Sequence, residues 1–217
     1  MHFEKNHLYH IFNQGNNRQR IFFKEENYLF FLQKIKTHIC PFADVLAWCL
    51  MPNHFHLMVR VNAVELPTEG FAQSETLGSQ NEVLGIRQRT FNESIGIMLR
   101  AYTNAINKQE KISGSLFRKA TKAECLNCPS GITPSFYNTR SGTFIPVDDP
   151  AKHYPQVCFN YIHQNPVKAH LVSKAEDWPF SSYRDVIGVR NGMLINRRLI
   201  DELELLKSVF DSKPSDE

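Results

Sequence analysis

An α+β fold with an antiparallel sheet is the fold class that the sequence predicts. Three observations lead to it: short segments of alternating apolar residues, longer segments with helical spacing, and the order in which the two kinds follow each other. The 217 residues can bury a sizeable core, and 42% apolar and 22% charged residues are ordinary for a globular protein. We therefore expect a single domain over residues 1–217.

Alternation, turn residues and helical spacing divide the first part of the chain into short elements. In chain order these are a strand at 7–13, a turn at 15–18, extended residues 19–23, a helix at 25–38, a strand at 43–50, a turn at 51–53 and a strand at 54–61.

The second part of the chain predicts a helix from Phe91 to about Gln109 and a basic fourth strand within 113–126. A short helix follows from about Pro155 to Asn165, and Pro166 is expected to end it. Polar segments rich in proline and glycine indicate insertions at about 62–90 and 127–150, and a loose polar tail at about 207–217. The order β-α-β-β-α-β with a C-terminal helix is that of the ferredoxin-like arrangement.

Composition excludes some classes of protein. No apolar run approaches the length of a membrane span, and the polar N-terminus is unlike a signal peptide, so a cytoplasmic protein without membrane contact is expected. The five cysteines are an odd number, which argues against a disulfide framework. The lone C-x-x-C of Cys125 and Cys128 lacks the second pair that a zinc site usually has, so free thiols are expected.

The stretch "NHFHLMV" places His54 and His56 two residues apart on a predicted strand. Alternate residues of a strand point to the same side, so the two imidazoles share one face while Phe55 faces the other. One interpretation is a pair of half-exposed histidines that hydrogen-bond to neighbours. The other is a divalent metal site, which would need further oxygen ligands.

Tyr161 and Asn165 are four residues apart on the last predicted helix, and therefore lie on one face of it. The asparagine offers a carboxamide oxygen as a hard ligand, and the tyrosine offers a nucleophilic phenol. The alternative is an interfacial tyrosine with a backbone partner and an asparagine that caps the helix. Tyr102 lies on the apolar stripe of its own helix, which favours a core position.

Net charge is +3, and the positive charge concentrates in residues 1–60 and 91–126. Five cations in these segments are candidate contacts to DNA phosphates, with a solvated surface as the alternative. They are Arg18, Arg20, Arg118, Lys119 and Lys122.

Four segments taken together resemble the HUH-type single-tyrosine transposases, in particular the REP-associated tyrosine transposases. In chain order they read "MPNHFHLMV", "GSLFRKATKAECL", "YIHQNPVKAHLV" and "DWPFSSYRDVIG". The segment "NQGNNRQRIFF" also fits, and the matching segments cover about two-thirds of the chain, leaving out the two insertions.

The resemblance implies an enzyme that nicks and rejoins single-stranded, hairpin-containing DNA. In that family Tyr161 would attack a phosphodiester and form a 5′-phosphotyrosine link, while His54, His56 and Asn165 would hold Mg²⁺ or Mn²⁺. A homodimer is possible, since some related transposases exchange the tyrosine helix between subunits. Two alternatives stay open: a domesticated protein that binds hairpin DNA without strand transfer, and a metal-dependent phosphodiesterase that uses water.

Overall fold

The structure is a computed structural model, and it describes residues 1–73, 82–128, 137–139, 142–144 and 150–206. Parts of both expected insertions and the polar tail after residue 206 lie outside the described residues. None of the described helices is both long enough and apolar enough to cross a lipid bilayer.

The described chain contains eight strands and five α-helices. The strands are β1 (Leu8–Gln14), β2 (Ala43–Met51), β3 (His54–Val61), β4 (Glu65–Gln73), β5 (Glu82–Thr90), β6 (Lys122–Cys125), β7 (Tyr137–Thr139) and β8 (Gly142–Phe144). The helices are α1 (Glu25–His38), α2 (Phe91–Glu110), α3 (Pro150–Lys168), α4 (Tyr183–Val186) and α5 (Arg197–Glu202).

A four-stranded sheet in the order β2-β3-β1-β6 organises the molecule, and every neighbouring pair in it is antiparallel. The predicted α+β class with an antiparallel sheet is therefore confirmed. Strands β2 and β3 and helix α1 begin and end within one residue of the predicted bounds, because their patterns are long and unambiguous.

The two faces of the sheet meet different helices. On one face, Phe55 of β3 packs against Phe31 of α1 with ring centroids 5.1 Å apart, and Phe31 in turn contacts Tyr102 of α2 at 4.9 Å. On the other face, Tyr161 of α3 lies against His56, with ring centroids 5.4 Å apart. Alternation along β3 thus sends Phe55 and His56 to opposite faces of the sheet, as predicted, and the histidine face is the one that meets α3.

Residues 178–182, which follow α3 in the chain, form a strap that runs along the outer edge of β2. The Leu50 N–H donates to the Phe180 carbonyl at 2.9 Å, and the Ser182 N–H donates to the Trp48 carbonyl at 2.9 Å. His163 of α3 joins the same strap, since its Nε2 lies 2.8 Å from Ser182 Oγ. These bonds fix the position of α3 on the sheet.

The structure differs from the predicted elements at several places. Residues 65–90 contain an antiparallel hairpin of β4 and β5, where an irregular insertion was expected. The fourth strand lies within the predicted range 113–126 but covers only Lys122–Cys125, and the residues 19–23, which were expected to be extended, belong to no strand. The polar composition of 62–90 hid the hairpin, because strands are recognised in a sequence by alternating apolar residues.

Helix α3 runs on through Pro166 to Lys168, so the prediction that it ends at Asn165 was wrong. Proline removes one N–H from the helix but keeps its carbonyl, and the Ala169 N–H still donates to the Asn165 carbonyl at 2.9 Å. The cysteines also differ from expectation: Cys125 and Cys128 form a disulfide and are not free thiols.

Candidate active site

A cavity of about 260 Å³ lies between the sheet and α3. Its walls come from β1, β3, the segment around residue 120 and α3. The lining residues are Phe12, Asn13, Gln14, His54, His56, Arg118, Ala120, Lys122 and Tyr161. The cavity therefore unites residues that are more than a hundred positions apart in the sequence.

His54 and His56 stand side by side on β3, with ring centroids 5.0 Å apart and planes at 84°. Asn53 Oδ1 lies 2.6 Å from His54 Nδ1, so the Asn53 side chain orients this imidazole. Because a carboxamide oxygen only accepts, His54 Nδ1 carries the proton and its Nε2 keeps the lone pair. His54 thus presents a nitrogen that is able to bind a cation.

His56 is deeply buried, and its Nε2 has no hydrogen-bond partner among the described residues. Burial, reinforced by the neighbouring His10 and His54, holds the His56 pKa well below its usual range. Burial also lowers the pKa of His54, although a hydrogen bond with Asn165 opposes this shift. Both imidazoles are therefore neutral near neutral pH, which is the form that binds metals.

Tyr161 and Asn165 meet the histidines from α3. The Asn165 amide nitrogen donates to the Tyr161 carbonyl at 3.0 Å, and its side chain also hydrogen-bonds to the Tyr161 hydroxyl. Burial raises the pKa of the Tyr161 phenol, the Asn165 hydrogen bond lowers it, and the charge of Glu124 raises it further. The phenol is consequently protonated in the free protein near neutral pH.

Lys168 is a further residue at this site, and the expectation that α3 ends at Asn165 concealed it. Because the helix continues for another turn, the Lys168 ammonium lies 5.3 Å from the centroid of the Tyr161 ring. Three residues at i, i+4 and i+7 thus share the face that meets the histidines: Tyr161, Asn165 and Lys168.

His10 of β1 is the other residue that sequence reasoning missed. It is buried against His56, and its Nε2 lies 2.9 Å from His56 Nδ1. A histidine in the alternating segment "HLYHIFN" was the available signal. The register of β1 and β3 places His10 beside His56, and a register cannot be read from one strand. The sequence therefore did not indicate that His10 belongs to the site.

The five candidate phosphate contacts differ in their position relative to the cavity. Arg118 and Lys122 line the cavity. Arg18 is exposed in a turn whose backbone accepts a hydrogen bond from Asn53 Nδ2 at 3.4 Å, so this turn lies next to the histidine strand. Arg20 and Lys119 are exposed and do not line the cavity.

Tyr102 is excluded as a nucleophile by its position. Its side chain extends from α2 and is fully buried against α1. Its hydroxyl donates to the Ile21 carbonyl at 2.7 Å. The core position that its helical stripe predicts is therefore confirmed.

The residues present offer nitrogen and oxygen donors to a divalent cation, but they lack the charged ligands that such sites usually have. His56 Nε2 is a buried nitrogen without a partner, and His54 Nε2 and the Asn165 carboxamide are further neutral donors beside it. Within the described chain, no group of three His, Cys, Asp or Glu side chains is arranged to hold a metal. The donors offered by His54, His56 and Asn165 are all neutral, and neutral ligands bind divalent ions loosely.

Comparison with known proteins adds one result. No protein-family model matches the chain, and no curated protein matches it in sequence. In fold, the chain is similar to the solved structure of a REP-associated tyrosine transposase bound to a REP hairpin. The TM-score is 0.52 and the identity 16%, over 87% of this chain and 83% of that one. The similarity shows a shared fold.

Proposed function

We propose that the protein is a metal-dependent, single-tyrosine DNA nickase and strand transferase. The observation that carries the proposal is the cavity itself, which brings the imidazoles of His54 and His56 together with Tyr161 and two cations. The histidines are neutral donors that can bind a cation, and Arg118 and Lys122 can bind phosphates. A tyrosine beside both groups suits the transfer of a phosphoryl group to its phenol. The similarity in fold to a hairpin-bound transposase supports the same function.

In the first proposed step, Tyr161 Oη attacks the phosphorus of a phosphodiester in single-stranded DNA. A new phosphorus–oxygen bond forms to the tyrosine, and the bond from phosphorus to the 3′-oxygen breaks. The phenolic proton leaves to solvent and the departing 3′-oxygen takes up a proton. Lys168 favours the step because a cation 5.3 Å from the ring stabilises the phenolate.

Strand transfer is the reverse reaction with a different 3′-hydroxyl. That hydroxyl attacks the 5′-phosphotyrosine, the phosphorus–oxygen bond to Tyr161 breaks, and the tyrosine regains its proton. One phosphodiester is made for each one broken, so the reaction needs no nucleoside triphosphate.

His54, His56 and Asn165 are the residues that would hold Mg²⁺ or Mn²⁺. When bound, such an ion acts as a Lewis acid that polarises a phosphoryl oxygen and stabilises developing charge. Since the three donors are neutral, we expect the DNA phosphate to complete the site. Tight binding of Mn²⁺ by the DNA-free protein in calorimetry would contradict this expectation.

Arg118 and Lys122 are proposed to neutralise the phosphates on either side of the scissile bond. Both line the cavity that contains Tyr161, whereas Lys119 does not. Phe12 stands in the same wall, and an aromatic ring there suits an unpaired base better than a duplex. Together with the hairpin-bound structural relative, this favours single-stranded DNA beside a hairpin as the substrate.

We also infer a ferredoxin-like arrangement of the sheet. The two strand-to-strand crossovers contain α1 and α2, and the strands joined by α1, β1 and β2, are separated in the sheet by β3. This split β-α-β pattern is the one expected of that arrangement.

The test is covalent capture on a denaturing gel. End-labelled single-stranded DNA carrying a hairpin is incubated with the protein and Mn²⁺, and labelled material at protein mass is sought in detergent. Tyr161→Phe should abolish the adduct. Tyr183→Phe, a change to a tyrosine on α4 outside the cavity, should leave it intact.

The possible failures point to different functions. DNA that is bound but neither cut nor captured would favour a hairpin-binding protein without strand transfer. DNA that is cut without an adduct, equally in wild type and Tyr161→Phe, would favour a phosphodiesterase that uses water.

A further inference from the structure

His10 makes a polar contact that the proposed chemistry does not explain. The register of β1 and β3 pairs Phe12 with His56 and His10 with Met58, so His10 and His56 are diagonal neighbours on one face. Their rings are nearly parallel at 25° with centroids 5.0 Å apart, and His10 Nε2 lies 2.9 Å from His56 Nδ1.

Both rings are buried, with 4% of His10 and 5% of His56 exposed, and burial favours the neutral form of an imidazole. A neutral imidazole carries one proton, so each ring has one donor and one acceptor nitrogen. The contact at 2.9 Å therefore has two possible arrangements, which differ in the nitrogen of His56 that carries the proton.

In the first arrangement His10 donates to His56 Nδ1, and the His56 proton lies on Nε2. That N–H would be buried with no acceptor among the described residues, and a protonated nitrogen could not bind a cation. In the second arrangement His56 Nδ1 donates to His10 Nε2. His56 Nε2 then carries a lone pair, which also has no protein partner among the described residues but which a cation can bind, and the other proton lies on His10 Nδ1.

We propose that His10 is a positioning residue that accepts the hydrogen bond from His56 Nδ1–H and so keeps the lone pair of His56 Nε2 available to a divalent cation. A metal-binding histidine is commonly oriented in this way by a hydrogen bond at its other ring nitrogen. The role of the cation rests on the proposed function, whereas the proton position is a property of the metal-free protein.

Neutral His10 differs from a carboxylate in the same position. A carboxylate would add negative charge behind His56 and make that imidazole a more basic ligand. His10 instead supplies an acceptor nitrogen on an uncharged ring.

The first measurement is long-range ¹H–¹⁵N correlation NMR of the full, metal-free chain near pH 7. This experiment distinguishes a protonated from an unprotonated ring nitrogen. We expect His56, identified by the loss of its signals in His56→Asn, to be protonated on Nδ1. Protonation on Nε2 would overturn the inference, and this result requires no variant of His10.

The second measurement compares two replacements of His10. His10→Met removes the acceptor at similar size, and His10→Gln restores an acceptor oxygen. His10→Met should bind Mn²⁺ about 10- to 100-fold more weakly in electron paramagnetic resonance titrations, the range typical for the loss of such a partner. His10→Gln should recover part of the loss, and His163→Gln should leave the His56 proton on Nδ1.

Failure of the inference is distinguishable from failure of the proposed function. If DNA is captured by Tyr161 but His10→Met leaves the His56 proton and the Mn²⁺ affinity unchanged, the role of His10 is refuted alone. If the proton and the affinity behave as expected but no adduct forms, the nickase is refuted and the cation site stands.

Discussion

Acidification from about pH 7 to about pH 5.5 should destabilise the folded protein by about 4 kcal/mol. The physical cause is the burial of neutral imidazoles at three positions. Burial lowers the pKa of His10 and His163 to about 3, and holds that of His56 well below its usual range. In the unfolded chain the same side chains titrate near the ordinary value of about 6.5.

The sign follows from proton uptake. Between about pH 6.5 and about pH 3 the unfolded chain binds protons that the folded one excludes, so stability is lost as the pH falls below about 6.5. For one histidine, the change from about pH 7 to about pH 5.5 amounts to about 1.2 kcal/mol. Three such residues together account for the total, a large share of the 5–15 kcal/mol typical of a domain.

The assay is urea unfolding followed by the fluorescence of the two tryptophans, at both pH values. His163→Gln removes one titrating group outside the cavity while keeping a side chain that can hydrogen-bond to Ser182. This variant should lose about 1.2 kcal/mol less than the wild type over the same interval. His2→Gln, at an exposed position, should match the wild type. An identical loss in His163→Gln and wild type would refute neutral burial of this imidazole.

The remaining predictions concern the candidate active site. Since burial raises the pKa of Tyr161, the single-turnover cleavage rate should rise about tenfold per pH unit from neutral pH upwards; a flat profile would exclude phenol deprotonation as the limiting event. Asn165→Asp adds a negative ligand and should strengthen Mn²⁺ binding at least about tenfold in calorimetry without DNA; unchanged affinity would place residue 165 outside the cation site. Arg118→Ala and Lys122→Ala should each weaken single-stranded DNA binding and reduce the salt dependence of log K by about 0.7, and an unaltered slope would mean that the cation contacts no phosphate.

Local patterns predicted much of the scaffold and the chemical character of the site. The H-x-H spacing placed His54 and His56 on one face because alternation is intrinsic to an extended chain. The interval between Tyr161 and Asn165 placed both on one helical face for the equivalent reason. Such inferences need no knowledge of the remainder of the chain.

Errors arose where a local signal competed with longer-range packing. Pro166 disfavours a helix at the preceding residue, yet α3 continues past it while the 178–182 strap and His163 hold the helix on the sheet. The missed hairpin of β4 and β5 has a polar sequence, so its alternation carries no hydrophobic signature. In the first case tertiary contacts outweigh a local preference, and in the second the local signal itself is weak.

The sequence by itself determined which chemical groups are present and how neighbouring ones are spaced: an imidazole pair, a tyrosine with an asparagine one turn away, and scattered cations. Only the tertiary structure decided that they meet. Strand register placed His10 behind His56, and the docking of α3 set Tyr161 across from both. The physical reason is that helix and strand periods act over a few residues, whereas register and docking depend on burying the whole core at once.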